Sequence, residues 1–187
     1  MKNIIFYARF VKSISYICIA ATVISFFIKW LVPTIVLDNP YHIFNLFLAY
    51  TLDDFSEVAH SLLSMPIAHR IMAMVVDSGV SVLLVMILWN IIEVMKKFEG
   101  NELFSNSLVN FFVKMNTYAF CLALYVPINR MILSVIITLH NAPGHRIFTA
   151  SFGSADLFNI LMFGIFMIMT LVMQQATVLQ NEHNLTV

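Results

Sequence analysis

The feature that most constrains this chain is a set of four apolar stretches, each long enough to cross a lipid bilayer as a helix. They cover approximately residues 14–36, 68–92, 111–139 and 155–177. A hydrocarbon core about 30 Å thick requires about 20 mostly apolar residues in a helix. Lipid admits only helices and closed barrels, and these stretches lack the alternating pattern of barrel strands. The sequence therefore predicts an all-α integral membrane protein with four transmembrane helices in an antiparallel bundle.

The composition supports lipid as the solvent of this chain. Of its 187 residues, 60% are hydrophobic and only 11% are charged, whereas soluble domains contain about 25% charged residues. We predict one four-helix transmembrane domain over residues 1–187. Its first apolar stretch continues past Lys29 without a small-residue cleavage site, so we interpret it as a retained helix and not a signal peptide. The ten basic residues are balanced by ten acidic residues and form no basic stripe, which argues against direct nucleic-acid binding.

Basic residues near the helix ends predict the orientation of the chain, because they are enriched on the cytoplasmic side. The start of the first helix and the connection between the second and third helices carry six such residues: Lys2, Arg9, Lys12, Lys96, Lys97 and Lys114. The opposite side has only Lys29, Arg70, Arg130 and Arg146. Both termini and the connection between the second and third helices are therefore predicted to be cytoplasmic.

Both longer connections have a readable pattern. In the outer connection, polar and apolar residues occupy opposite faces of a predicted amphipathic helix over residues 41–65, as in a lid at the membrane interface or a ligand-sensing element. In the cytoplasmic connection, Gly100 can supply the left-handed residue that ends the second helix. Ser105 or Asn106 can cap the start of the third.

Two segments carry a family resemblance. The connection EVMKKFEGNELFSNSLVNFF and the C-terminal VLQNEHNLTV resemble those of the uncharacterised bacterial four-helix membrane protein family DUF 2975. The residues that carry the resemblance are Gly100, Phe104 and Ser105 in the connection, and Leu179, Glu182, Leu185, Thr186 and Val187 in the tail. The resemblance implies a protein of the bacterial inner membrane. Members of this family often occur beside small helix-turn-helix regulators. The resemblance makes these eight residues candidates for binding a partner.

Signatures of catalysis and metal binding are absent from the sequence. It contains no G-x-S-x-G, no H-E-x-x-H and no glycine-rich phosphate loop. The six histidines match no ligand spacing and are interpreted as solvated loop residues, although metal binding or acid sensing stays an alternative. We therefore predict no enzyme, no catalytic residue, no metal and no cofactor.

Charged residues inside the spans are the most informative candidates, because each costs about 2.5–3.5 kcal/mol on insertion scales and normally faces a partner. Four of them, one from each helix, lie at about the same level: Lys29, Asp77, Arg130 and Asp156. At 1.5 Å per residue they lie at estimated depths of about 22, 24, 28 and 31 Å from the cytoplasmic end. We predict a neutral polar cluster in the outer third of the membrane. The alternative is that Lys29 and Asp156 extend to the outer headgroups.

Within this cluster we predict that Asp77 pairs with Arg130, and that Asp156 is a further partner. Gly79 is predicted to allow close approach beside the pair. The functional prediction is a regulatory, sensor or accessory subunit that signals to a cytoplasmic helix-turn-helix regulator or another membrane subunit. The alternative is a small transporter or ligand-binding bundle that uses the outer polar cluster, for which a homodimer would be needed.

Overall fold

Four long helices make up the described part of the protein in its computed structural model. The structure describes residues 2–31, 65–100, 105–142, 144–146, 148, 150 and 152–185. The helices are α1 (Lys2–Leu31), α2 (Ile67–Glu99), α3 (Asn106–Thr138) and α4 (Ser154–Leu185). Each is long and apolar enough to cross a membrane, which confirms the prediction of four such helices.

The helices are longer than the predicted spans. With 30 to 33 residues each, they measure about 45–50 Å, against a hydrocarbon core of about 30 Å. Each span therefore continues into the headgroup region or the water beyond it. The predicted amphipathic helix over residues 41–65 lies outside the described residues, except for Met65.

Polar and small residues form the buried face of α1, and large apolar residues form its exposed face. The buried positions are Ala8, Ser15, Thr22, Ser25 and Lys29, at helical spacing, followed by Trp30. Lipid is as apolar as leucine, so small side chains that allow close packing and polar side chains that bond inside the protein mark the interior face. The Ser15 hydroxyl, for example, donates to the carbonyl oxygen of Val11 at 2.9 Å.

The contacts of the chain divide into two compact units. Unit 1 comprises Met1–Ala20, Leu83–Leu122 and Leu157–Val187, and unit 2 comprises Ala21–Val82 and Ala123–Asp156. The core of unit 1 is built from Val94, Leu108, Phe112 and Met115. That of unit 2 is built from Trp30, Met65, Ala73, Leu133, Ile136 and Ile137.

The two ends of the connection between α2 and α3 are capped in different ways. Ser105 caps α3, because its hydroxyl oxygen accepts the N–H of Leu108 at 3.2 Å. The expectation for Gly100 is wrong, since Gly144 is the described glycine with a left-handed φ, at 99°. The N–H of Gly100 instead donates to the carbonyl oxygen of Lys96 at 3.1 Å, so the hydrogen bonding of α2 extends one residue beyond the helix.

Candidate intramembrane polar site

Asp77 of α2 is the centre of a buried polar site in unit 2. Its Oδ2 atom accepts hydrogen bonds from the Lys29 ammonium at 2.8 Å and from the Trp30 indole Nε1 at 2.9 Å. Lys29 and Trp30 follow each other on α1, near its C-terminal end. The Lys29 ammonium also lies 5.3 Å from the centroid of the Trp30 ring. The indole thus supplies a donor to the carboxylate and a π-face to the cation.

Asn129 of α3 adds the third helix to this site. Its Nδ2 atom donates to the second carboxylate oxygen of Asp77 at 3.3 Å. The residue is fully buried, at 0% exposure. Its Oδ1 atom has no hydrogen-bond partner among the described residues. A buried acceptor in this state costs about 1–3 kcal/mol, so a donor group that reaches this atom would be bound favourably.

Arg130 and Asp156 form the second ion pair of unit 2. The two terminal nitrogens of the Arg130 guanidinium donate to the two carboxylate oxygens of Asp156, at 3.0 and 3.3 Å. This two-bond arrangement is the strongest geometry available to an arginine and a carboxylate. Both side chains are buried within the protein, with exposures of 9% and 0%.

Asp156 also fixes the start of α4. Its Oδ2 atom accepts the N–H of Gly153 at 2.7 Å, and the N–H of Asp156 donates to the carbonyl oxygen of Gly153 at 3.1 Å. The bond from the Gly153 N–H to the Asp156 carboxylate is one half of a capping box, and the second bond joins the two backbones because glycine has no side chain. The position that a Cβ atom would occupy on Gly153 lies 3.7 Å from the Arg130 guanidinium, which leaves little room there for a larger side chain.

The four charged residues predicted from the sequence thus occur in two ion pairs, with a different pairing from the one expected. Asp77 pairs with Lys29, and Arg130 pairs with Asp156. The second and third helices follow each other in the sequence and were expected to be in contact, so Asp77 was expected to pair with Arg130. The estimated depths favour the observed pairs, since they differ by about 2 and 3 Å within these pairs and by about 4 Å between Asp77 and Arg130. The direction in which each side chain leaves its helix decides the pairing.

Gly79 has a specific role that the sequence showed only in outline. A Cβ atom at this position would lie 2.6 Å from the hydroxyl oxygen and 2.7 Å from two ring carbons of Tyr125. The Tyr125 hydroxyl donates to the carbonyl oxygen of Val76 at 2.7 Å. The missing side chain therefore makes room for a tyrosine of α3 beside Asp77.

Trp30 and Asn129 are the site residues that sequence reasoning missed. Asn129 was visible as a polar residue inside a span, but an uncharged amide gave no reason to connect it to Asp77 rather than to its own backbone. Trp30 was not singled out, since tryptophan is common near the ends of transmembrane helices. Its position beside Lys29 was the available signal.

The residues predicted to bind a partner lie in unit 1 or outside the described residues. Gly100 follows α2, Ser105 caps α3, and Leu179 and Glu182 are exposed on α4. Leu185 is the last residue of α4, while Phe104, Thr186 and Val187 lie outside the described residues. The tail is therefore helical as far as Leu185.

Among the described residues, no group of three or more histidine, cysteine, aspartate or glutamate side chains could hold a metal ion. Comparison of the chain with models of known protein families, with curated proteins and with solved structures gives no match. The resemblance to the DUF 2975 family accordingly stays a prediction. The polar site and the exposed ends of the helices are therefore the features that bear on function.

Proposed function

We propose that this chain is a non-catalytic multi-pass protein of the bacterial inner membrane, with both termini in the cytoplasm. Its role is that of a regulatory, sensor or accessory subunit that signals to a cytoplasmic partner, such as a helix-turn-helix regulator, or to another membrane subunit. The observation that carries the proposal is that the four charged side chains of the polar site compensate one another in two buried ion pairs.

This compensation favours a structural role for the site over substrate handling. Two positive and two negative groups leave no net charge in the buried site for a charged substrate to neutralise. Breaking either buried pair by removing one member costs about 3–5 kcal/mol, since the remaining charge has no counter-ion. A site of this kind holds helices in one arrangement. Contacts with a partner would then be made by residues elsewhere in the chain.

The exposed tail of α4 is the best candidate for that contact. Leu179 is 65% exposed, and Glu182 is exposed one turn further along the helix. In the proposed orientation, these turns extend beyond the hydrocarbon core on the cytoplasmic side. Contact between this exposed leucine and another surface would be favourable, because it removes apolar area from water. A bound partner would supply such a surface.

Cross-linking and co-purification from native membranes test this proposal. Leu179→Ala, and separately removal of Leu185 to Val187, should each reduce the yield of a cross-linked cytoplasmic protein at least threefold, with unchanged membrane insertion. Leu161→Ala is the matched control, because Leu161 is 60% exposed on the same helix but lies in its N-terminal half. Equal partner yields from all these variants would remove the tail from the mechanism.

A ligand-binding bundle or small transporter is the second candidate, and the buried Oδ1 atom of Asn129 favours it. A ligand with a donor group could bind there beside Asp77. Four helices rarely enclose a pathway, so transport would require a homodimer. In that case a screen of small ligands should raise the melting temperature of the wild-type protein, and Asn129→Leu should abolish the shift without changing partner capture. Partner capture without any ligand-dependent shift supports the regulatory subunit.

A further inference from the structure

One end of unit 1 combines basic and aromatic side chains. The Lys12 ammonium binds both carboxylate oxygens of Glu99, at 2.7 and 2.6 Å, which places this part of α1 beside the end of α2. We call this region the basic end of unit 1. Its basic residues are Arg9, Lys12, Lys96, Lys97 and Lys114. Lys114 belongs to it because its ammonium lies 5.8 Å from the Phe111 ring, and Phe111 packs against the unit 1 core that contains Val94 of α2.

The carboxylates on α2 in this region are already engaged. Glu93 binds Lys96 at 2.7 Å, and Glu99 binds Lys12. Arg9 and Lys114 are exposed. The segments of unit 1 contain six basic and four acidic residues, and those of unit 2 contain four basic and six acidic residues. An excess of positive charge is therefore presented by unit 1.

Aromatic rings accompany these charges. Phe6, Tyr7 and Phe10 are exposed around Arg9 on α1. On α2, Trp89 is exposed and the Lys96 ammonium lies 5.8 Å from its ring centroid. Aromatic rings favour the headgroup level of a membrane, while lysine and arginine extend their charged ends towards lipid phosphates.

We propose that the basic end of unit 1 binds the headgroups of anionic phospholipids, with Arg9 and Lys114 as the main contacts. The charge complementarity of this surface and a phosphate group supports this occupant. Each basic residue near an anionic membrane surface contributes about 1 kcal/mol, which corresponds to about fivefold in lipid affinity. The proposal concerns lipid composition and is independent of the proposed signalling role.

Thermal unfolding in vesicles tests it. Adding phosphatidylglycerol to phosphatidylcholine vesicles should raise the melting temperature of the full chain, and the double variant Arg9→Gln/Lys114→Gln should lose most of that shift. Arg146→Gln is the matched control, because Arg146 is an exposed arginine of unit 2. The same shift in the double variant as in the wild type, or no shift in the wild type, overturns the proposal. Inorganic phosphate should have no effect, and equal stabilisation by it would point to a soluble anion instead.

Tryptophan fluorescence gives a second test that does not depend on the double variant. Of the two tryptophans, Trp89 is 51% exposed and Trp30 is 2% exposed, so lipid-borne quenchers reach mainly Trp89. Brominated phosphatidylglycerol should quench the wild type more than brominated phosphatidylcholine at equal mole fraction, and Lys114→Gln should reduce the difference. Trp89→Phe should remove most of the quenchable signal. Equal quenching of the wild-type protein by the two lipids contradicts a preference for anionic headgroups.

Discussion

At the scale of single residues, Asp77 shows what a carboxylate inside a membrane requires. It has a counter-ion in Lys29, and further donors in Trp30 and Asn129 occupy its remaining lone pairs. Charge compensation alone leaves acceptor sites unsatisfied in a medium without water. Donors from α1 and α3 therefore converge on one side chain of α2, which makes Asp77 the residue whose loss affects most contacts.

The Lys29–Asp77 pair can be tested by a double-mutant cycle. Asp77→Asn and Lys29→Met should each destabilise the protein by about 3–5 kcal/mol, because each leaves a buried charge without its counter-ion. The double variant should cost less than the sum. The measurement is the free energy of unfolding from SDS titration in mixed micelles.

A cross-cycle serves as the control for this pairing. Lys29→Met combined with Asp156→Asn joins residues from the two different ion pairs, so their effects should add to within about 0.5 kcal/mol. Strong coupling in this cross-cycle, with additivity between Lys29 and Asp77, would show that the pairing is wrong.

Gly79 gives a second test at this scale, through packing. Gly79→Ala should destabilise the protein by about 1–3 kcal/mol, because the new methyl group would overlap the Tyr125 ring. Tyr125→Phe should not relieve the overlap, since the ring carbons remain, whereas Tyr125→Ala should. Gly164→Ala is the matched control on α4, where nothing lies within 4 Å of the added atom. A similar loss of melting temperature in both alanine variants would contradict the steric explanation.

At the scale of helices, the four apolar spans were predicted well, and so were the end of α2 before Gly100 and the start of α3 after Ser105. Burial in lipid sets the length of an apolar run, so the four helices could be read from the sequence. Helix ends depend on capping and turns outside the apolar run, which explains why α2 reaches Glu99 although its apolar span ends at residue 92. The charged members of the site were also visible, because charge is costly in lipid. Their partners were not, since rotation of each helix about its axis decides which side chains meet.

The cap of α3 provides a test at this scale. Ser105→Ala should destabilise the protein by about 1 kcal/mol, because the N–H of Leu108 loses its side-chain acceptor and keeps only the carbonyl oxygen of Ser105. Hydrogen exchange at Leu108 should become faster in this variant. Asn106→Ala is the control, since Asn106 is the first residue of α3 and its exposed side chain is not the cap. If exchange at Leu108 became faster only in the Asn106 variant, Ser105 would not be the cap of α3.

At the scale of the whole molecule, the charge distribution bears on orientation in the membrane. Unit 1 holds the excess of basic residues and unit 2 the excess of acidic ones. Positively charged segments are retained on the cytoplasmic side during insertion. The charge difference between the units therefore agrees with the proposed cytoplasmic location of both termini, and also with binding of anionic lipids by unit 1.

Cysteine labelling tests this orientation. Cys18 and Cys121 are first replaced by alanine, and single cysteines are then introduced at Ala142 and Gln180, two exposed positions that lie before and within α4. A membrane-impermeant maleimide should label Ala142→Cys in intact cells, and should label Gln180→Cys only after the membrane is permeabilised. A cysteine at Gly144 is less suitable, because the φ of 99° at this position strains any residue with a side chain. Labelling of Gln180→Cys in intact cells would reverse the orientation, and would place the exposed end of α4 and the proposed partner contact outside the cytoplasm.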